Sequence, residues 1–176
     1  DFPKVTLVGV LNGDTSLNIP DFRSGERTFQ LLSQVAGRAG RKDLEGEVVI
    51  QTYNPEHYSI EYTKEHDYIS FYNKEMMIRK ILKYPPYYFL ILVRILSKDY
   101  KQGLEASNKV GEHLRKKIDN ECIILGPSPS TPYKINNIYR FQCIIKYRQE
   151  TNIMHILKEL ISHYENNNKV NIELDI

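Results

Sequence analysis

Eight consecutive residues, Gln34-Val35-Ala36-Gly37-Arg38-Ala39-Gly40-Arg41, carry the densest chemistry in the chain. Arg38 and Arg41 follow an expected helix end at a spacing that lets both guanidinium groups reach one site. A guanidinium offers planar, bidentate hydrogen bonds to phosphate and keeps its charge at any relevant pH. Gln34, one turn earlier, can read a polar group, while Gly37 and Gly40 let the backbone turn tightly and approach a ligand. An arginine set against a transferring γ-phosphate raises hydrolysis by roughly 10³ to 10⁵. The plainer reading is positive charge at a helix C-terminus, favoured by about a few tenths of a kcal/mol. For an isolated G-R-x-G-R the two readings stand level, and the flanking residues must decide.

A second constellation lies between Gly126 and Gln149, a stretch with no acidic residue. Lys134, Arg140, Lys146 and Arg148 alternate there with Tyr133, Tyr139, Phe141 and Tyr147. Cations on phosphates and aromatics under bases are what single strands bind. Strand alternation splits the set, however. Arg140, Gln142, Lys146 and Arg148 share one face, and Tyr139, Phe141, Cys143, Ile145 and Tyr147 share the other, which reads as packed core. The cationic face is therefore either a DNA contact or a solvated sheet surface.

Other chemistries find no residues. Cys122 and Cys143 are far apart among apolar neighbours and the five histidines are scattered, so no metal site is expected. Buried free thiols in a reducing cytoplasm fit better than a disulfide. A composition of 41% hydrophobic and 26% charged residues marks a globular chain rather than a disordered one. No apolar run approaches the roughly 20 residues that cross a bilayer, so no membrane partner is expected. The net charge of +2 is too small to name a partner. The start, Asp1-Phe2-Pro3-Lys4, has no initiator Met and runs at once into a strand, which reads as a piece of a longer protein.

The elements that must hold these residues follow from periodicity. Val5 to Leu11 is a near-continuous apolar run, suited to a strand buried on both faces. A helix from Asp21 or Ser24 to Ala36 puts Phe29, Leu32, Val35 and Ala36 on one face, and Glu47 to Tyr53 is a second strand. Two parallel strands make no stable sheet, so residues 1–55 should pack poorly, exchange between protomers or lean on the rest of the chain. A helical connector over residues 56–83 follows, with Tyr68, Phe71, Tyr72, Ile78 and Leu82 facing core, ended by Tyr84-Pro85-Pro86.

Residues 84–176 read as a self-contained domain. Tyr88 to Leu96 is a strand, and Asp99 to Ile118 a helix with Leu104, Val110 and Leu114 inward. Glu121 to Leu125 is a strand, 126–132 a loop and Tyr139 to Tyr147 a strand. Thr151 caps a helix to Tyr164 with the stripe Ile153, Ile156, Leu157, Leu160, Ile161. Lys169 to Ile176 closes as a strand alternating Val170, Ile172, Leu174 and Ile176. The order β-α-β-β-α-β is that of a ferredoxin-like split βαβ sandwich, a four-stranded antiparallel sheet with two helices on one face. The fold class is α/β for the first part and α+β overall.

The octapeptide resembles motif VI of superfamily-2 helicases. Asp1-Phe2-Pro3-Lys4-Val5-Thr6-Leu7-Val8 with Asp14-Thr15-Ser16-Leu17 resembles motif V. Pro20-Asp21-Phe22-Arg23, Glu26 to Leu32, Gly46 to Pro55 and Tyr84-Pro85-Pro86-Tyr87 extend the likeness to the primosomal protein N′ (PriA) family of bacterial replication-restart helicases. The resemblance implies an ATP-dependent 3′ to 5′ DNA helicase that acts at stalled forks and helps reload the replisome. It implies the end of a RecA-like second lobe followed by an S10-like domain. Arg38 and Arg41 would meet the ATP γ-phosphate, supported by Gln34 and Gly37. Gly13 and Asp14 would serve the nucleotide and Thr15 the DNA, linking the two. Forked and single-stranded DNA, single-stranded-DNA-binding protein and other primosome proteins are the implied partners, in the cytoplasm. The chain has no Gly-x-x-x-x-Gly-Lys-Ser/Thr loop and no Asp-Glu motif, so the cradle for ATP and Mg²⁺ would lie upstream, as would the family's zinc-binding cysteines. This piece alone is expected to be inactive. The alternative is a non-catalytic module that binds nucleic acid or protein.

Overall fold

The structure, a computed structural model, describes residues 5–39, 46–149, 152–165 and 167–175. The chain divides into two compact units, Asp1–Leu82 and Lys83–Ile176.

In the first unit, β1 (Leu7–Val10) and β2 (Glu47–Ile50) pair in parallel, Leu7 opposite Glu47 and Val10 opposite Ile50. The expected burial on both faces does not occur. Leu7 is 60% exposed, Leu11 83% and Val49 52%, because nothing among the described residues covers both faces of this pair. The helix between them, α1 (Ser24–Ala36), buries Gly25, Thr28, Phe29 and Leu32. Its apolar face packs on helices that follow β2, leaning on later chain as one of the three expectations had it. Phe29 stacks on Phe71, ring centroids 4.0 Å apart and ring planes nearly parallel.

The helical connector expected from Glu56 to Lys83 consists of two helices. Helix α2 (Tyr58–Lys64) starts at His57, whose Nδ1 accepts from Ser59 N at 3.2 Å. Burial holds the His57 pKa below its ordinary value, which suits an unprotonated acceptor nitrogen. His66 then adopts a left-handed backbone, φ 54°, and Asp67 opens α3 (Tyr68–Ile81) by accepting from Ser70 N. The inward line of α3 is also not the expected one. Tyr68, Tyr72 and Leu82 are exposed, and Phe71, Glu75 and Arg79 are buried one turn apart.

The second unit has strands β3 (Phe89–Ser97), β4 (Ile123–Ile135), β5 (Ile138–Tyr147) and β6 (Val170–Asp175). Helix α4 (Tyr100–Lys117) follows β3, and α5 (Ile153–Glu165) follows β5. The sheet runs β4-β5-β3-β6 with every neighbour antiparallel, the order and sense of a split βαβ sandwich. One face carries Ile91, Val93, Ile95, Phe141, Cys143 and Ile145 into a core with Val110, Leu114, Ile153, Ile156, Leu157 and Leu160 of the helices. The expected α5 stripe and β5 alternation are seen there. Thr151 and Ile176 lie outside the described residues. Both cysteines are free, and burial pushes the Cys143 thiol up to about 11.

Leu104 and the segment 126–132 depart from expectation in this unit. Leu104 is 39% exposed, because α4 turns a face of small residues to the sheet: Gly103, Ala106, Ser107 and Gly111 beside Val110 and Leu114. A side chain at Gly103 would sit 2.8 Å from Phe141 Cε2. The segment 126–132 is no loop but the middle of β4, with irregular register between Leu125 and Ser128 and between Pro129 and Lys134. An edge strand tolerates Pro127, Pro129 and Pro132 because its outer groups need no ladder partner. Asn136 and Asn137, both left-handed (φ 50° and 62°), then make the two-residue turn into β5.

Candidate functional site

Helix α1 delivers the arginine motif as a projecting end. Gly37 caps the helix, its N–H bonding Ser33 O at 3.0 Å, and Arg38 N–H closes a further turn on Val35 O. Gln34, Gly37 and Arg38 are exposed, and the Arg38 side chain makes no hydrogen bond or ion pair among the described residues. Arg41 and Gly40 lie outside them. The structure thus brings Gln34, Gly37 and Arg38 to one helix end, with the Arg38 guanidinium available to an anion.

The opposite end of α1, at Glu26 in its first turn, is anchored by a charged interior. Arg79 Nε donates to Glu75 Oε1 at 2.7 Å and Nη2 to Glu26 Oε2 at 2.6 Å, and its guanidinium lies 5.1 Å from the Phe22 ring centroid. Tyr58 donates its hydroxyl proton to Glu75 Oε2 at 2.6 Å. Burial, then the Glu75 carboxylate, pushes the Tyr58 phenol above its ordinary value, so it remains a donor. Glu26 belongs to α1, Tyr58 to α2, Glu75 and Arg79 to α3. One hydrogen-bonded chain of side chains therefore fixes the three helices together.

Asp14 and Gly13 lie in the loop after β1. The Asp14 carboxylate accepts from Tyr53 N at 2.7 Å, Thr52 Oγ1 at 2.9 Å and Asn54 Nδ2 at 3.3 Å. These bonds, Tyr53 N–H foremost, hold its pKa below the ordinary carboxylate range. Gly13 N–H donates to Gln51 O at 2.9 Å. Both residues thus tie the loop after β1 to the segment after β2. Thr15 is exposed beside them, its hydroxyl donating to Asn12 O at 3.1 Å.

In the second unit the cations expected on one sheet face have different surroundings. Lys146 is 5% exposed, its ammonium 3.5 Å from the centroid of the Tyr84 ring, and burial, then Lys83, lowers its pKa. The sheet face is therefore covered at Lys146 rather than solvated, because the segment before β3 lays Tyr84 across it. Arg148, just past β5, is exposed and sits 5.7 Å from the Tyr88 ring. It shares a depression with Lys83, Asp119 and Glu121, so the field there is of mixed sign. Arg140 is half-buried, and its side chain makes no hydrogen bond or ion pair among the described residues. Arg140 and Arg148 are eight residues apart along a strand direction, roughly 26 Å, too far to share one phosphate. Lys134 is exposed, with Nζ 4.6 Å from the Tyr139 ring centroid and 3.3 Å from its hydroxyl.

Tyr100, Ser130 and Thr131, which the sequence pattern passed over, cluster near Arg140 with aromatic residues that it named. Tyr100, Pro129, Ser130, Thr131, Tyr133, Tyr139 and Phe141 line a groove of about 390 Å³ with Arg140. Tyr139 is half-buried in this groove rather than sealed in the core. The available signal was the Asn136-Asn137 pair, which marks a tight hairpin and so brings Lys134 opposite Tyr139, with the Tyr133 ring 6.4 Å from that of Tyr139.

The second unit is thus an α+β domain with an antiparallel sheet and cationic loop ends. The family model for the primosomal protein N C-terminal domain matches residues 80–176. The chain belongs to that family. It is 51% identical over 165 residues to the replication restart protein PriA of Bacillus subtilis, covering 94% of this chain and 20% of that protein. It is 36% identical to the PriA of Chlamydia muridarum and 33% identical to that of Borreliella burgdorferi, each over 175 residues. These alignments cover 99% of this chain and 23% and 26% of the respective relatives. The chain spans between a fifth and about a quarter of the length of these three relatives.

Proposed function

We propose that this chain is the C-terminal part of an ATP-dependent 3′ to 5′ DNA helicase of replication restart, with residues 1–55 ending a RecA-like lobe, 56–83 a helical connector and 84–176 an S10-like domain. The observation that carries the reading is Arg38: exposed, unpaired among the described residues and held past a helix end in a chain of this family. The residues fit half of a nucleotide site. Gln34, Gly37, Arg38 and Arg41 would face the γ-phosphate, where ATP with Mg²⁺ supplies the hydrolysis that drives unwinding. Residues of the longer protein outside this chain would hold that nucleotide, and zinc would likewise be bound outside it, since only Cys122 and Cys143 are cysteines here.

Arg38 then neutralises charge that grows in the transition state, so it acts on turnover more than on binding. Asp14 and Gly13 hold the loop that presents Thr15 to DNA, which couples the nucleotide end of β1 to the strand being moved. Lys134, Arg140 and Arg148 contact DNA phosphates, with Lys146 supporting the sheet from beneath Tyr84. Single-stranded-DNA-binding protein and other primosome proteins are the protein partners of this cytoplasmic enzyme.

The test is DNA-stimulated ATP hydrolysis by the longer protein. Arg38→Ala should lower kcat by about 10³ with little change in nucleotide affinity, and Arg38→Lys should not restore it. Unchanged kcat would reject the assignment. The second reading, a binding module without catalysis, draws on the unpaired Arg140. It predicts DNA affinity in the 176-residue chain alone.

A further inference from the structure

Between Pro129 and Lys134 the edge strand β4 carries more residues than its partner: five steps along β4 face two along β5, from Phe141 to Tyr139. The surplus bulges away from β5 and opens the groove lined by Ser130, Thr131, Tyr133, Tyr100, Tyr139 and Phe141. Four of these six lining side chains are aromatic. Tyr133 is 58% exposed, its ring 6.4 Å from that of Tyr139 and inclined by 31°. Tyr100 meets Tyr139 edge-on at 5.5 Å, which leaves the rings fixed in orientation. Within the groove Ser130 is 6% exposed, yet its Oγ has no hydrogen-bond partner. A buried hydroxyl without a partner is unfavourable, so a ligand that supplies one is favoured. The Lys134 ammonium lies over Tyr139 at the rim, and no acidic residue occurs from Gly126 to Gln149.

We propose that this groove captures one unpaired base of a single-stranded nucleic acid. The base stacks on the Tyr133 ring, its polar edge bonds the Ser130 hydroxyl, and the adjoining phosphate is met by Lys134. A nucleobase is flat, carries hydrogen-bonding groups on its rim and comes attached to negative charge, which are the three properties the groove complements. The inference rests on the reading that this unit contacts DNA, and extends it from phosphate to base. It also identifies the strand as one already opened, because a base inside a duplex cannot reach a groove of this depth.

The experiment compares the 176-residue chain binding to a dT12 oligonucleotide and to a twelve-unit abasic strand with the same phosphates, by fluorescence anisotropy over a salt series. The expected result is a preference of roughly tenfold for dT12, the value of one stacked base. Tyr133→Ala, at an exposed ring, should abolish the preference and leave the salt slope unchanged. Ser130→Ala should weaken dT12 binding several-fold while thermal stability stays level or rises, an outcome that a merely structural serine would not produce. Equal affinity for both strands, with a normal salt slope, would overturn the base groove and leave the phosphate contacts standing. No binding to either strand would overturn both. Displacement of an acidic peptide by Tyr133→Ala, with dT12 binding unaffected, would reassign the groove to a protein partner.

Discussion

Arg79 on α3 donates to Glu26 on α1 across 2.6 Å, joining residues separated by 53 positions of chain. The same guanidinium bonds Glu75, whose side chain is 4% exposed, whereas the Glu26 side chain is 38% exposed. The two ends of this bridge should therefore differ in worth. Arg79→Met strands a buried carboxylate and is expected to destabilise the first unit by about 3 kcal/mol, with Tyr58 limiting the loss. Glu26→Gln, at the solvated end, should cost less than about 1 kcal/mol. Hydrogen exchange of the α1 amides measures both, and equal losses would contradict the asymmetry.

Gly25 supplies a second check on the same chain of bonds. A Cβ there would run into the Tyr58 hydroxyl and stand 3.2 Å from Glu75 Oε2. Gly25→Ala should cost about 1–3 kcal/mol as the tyrosine is driven off Glu75. In a Tyr58→Phe background the hydroxyl is gone, so the two losses should sum to more than the double variant shows. Strict additivity in chemical denaturation would mean that Tyr58 is not the group displaced.

Asp14 sets an acid limit on the loop after β1. Its folded pKa lies below the ordinary 3.8 because the charged form accepts from Tyr53 N–H, Thr52 and Asn54. The stabilisation is complete above the unfolded pKa and is lost as pH falls through the lower, folded one. Protection of the Tyr53 amide should therefore hold down to about pH 4 and fail below it. Asp14→Asn should remove that acid transition. An amide equally protected at pH 7 and well below pH 3 would show that the charge is not needed.

Arg140 and Lys146 share a strand face but not an environment, so their substitutions should separate. Arg140→Gln is expected to weaken DNA binding and to flatten the plot of log affinity against log salt by about 0.7, one phosphate on a single strand. Lys146→Met, beneath Tyr84, should leave the slope as it was. Titrating the oligonucleotide against both variants at several salt concentrations distinguishes them. A flattened slope for Lys146→Met would place its ammonium on phosphate.

Where a single period governed an element, the chain could be read directly. The α5 stripe Ile153, Ile156, Leu157, Leu160 and the alternation of Phe141, Cys143 and Ile145 are both buried as their spacing requires. Other elements hide their logic from hydropathy. The inward line of α3 contains Glu75 and Arg79, charges that are buried only because they satisfy each other. The face of α4 is legible as small size, Gly103 and Gly111, rather than as apolar bulk. Prolines 127, 129 and 132 look like a loop until β4 is known to be an edge. At the candidate site, the exposure of Gln34 and Arg38 followed from the helix end itself. The cover over Lys146 comes from Tyr84, 62 positions away, and no local pattern could announce it.

The hairpin at Asn136 and Asn137 has a consequence for rates. Asparagine holds a left-handed backbone while keeping fewer unfolded conformations than glycine, so this turn gives up less freedom on forming and flexes less once formed. Tyr133 and Tyr139 stand on its two arms a few residues from the tip, and their ring spacing inherits that stiffness. A ligand arriving there finds the walls already in place. Encounter, steered by Lys134 and slowed by salt, then governs how fast the groove fills, and no loop must close before it does.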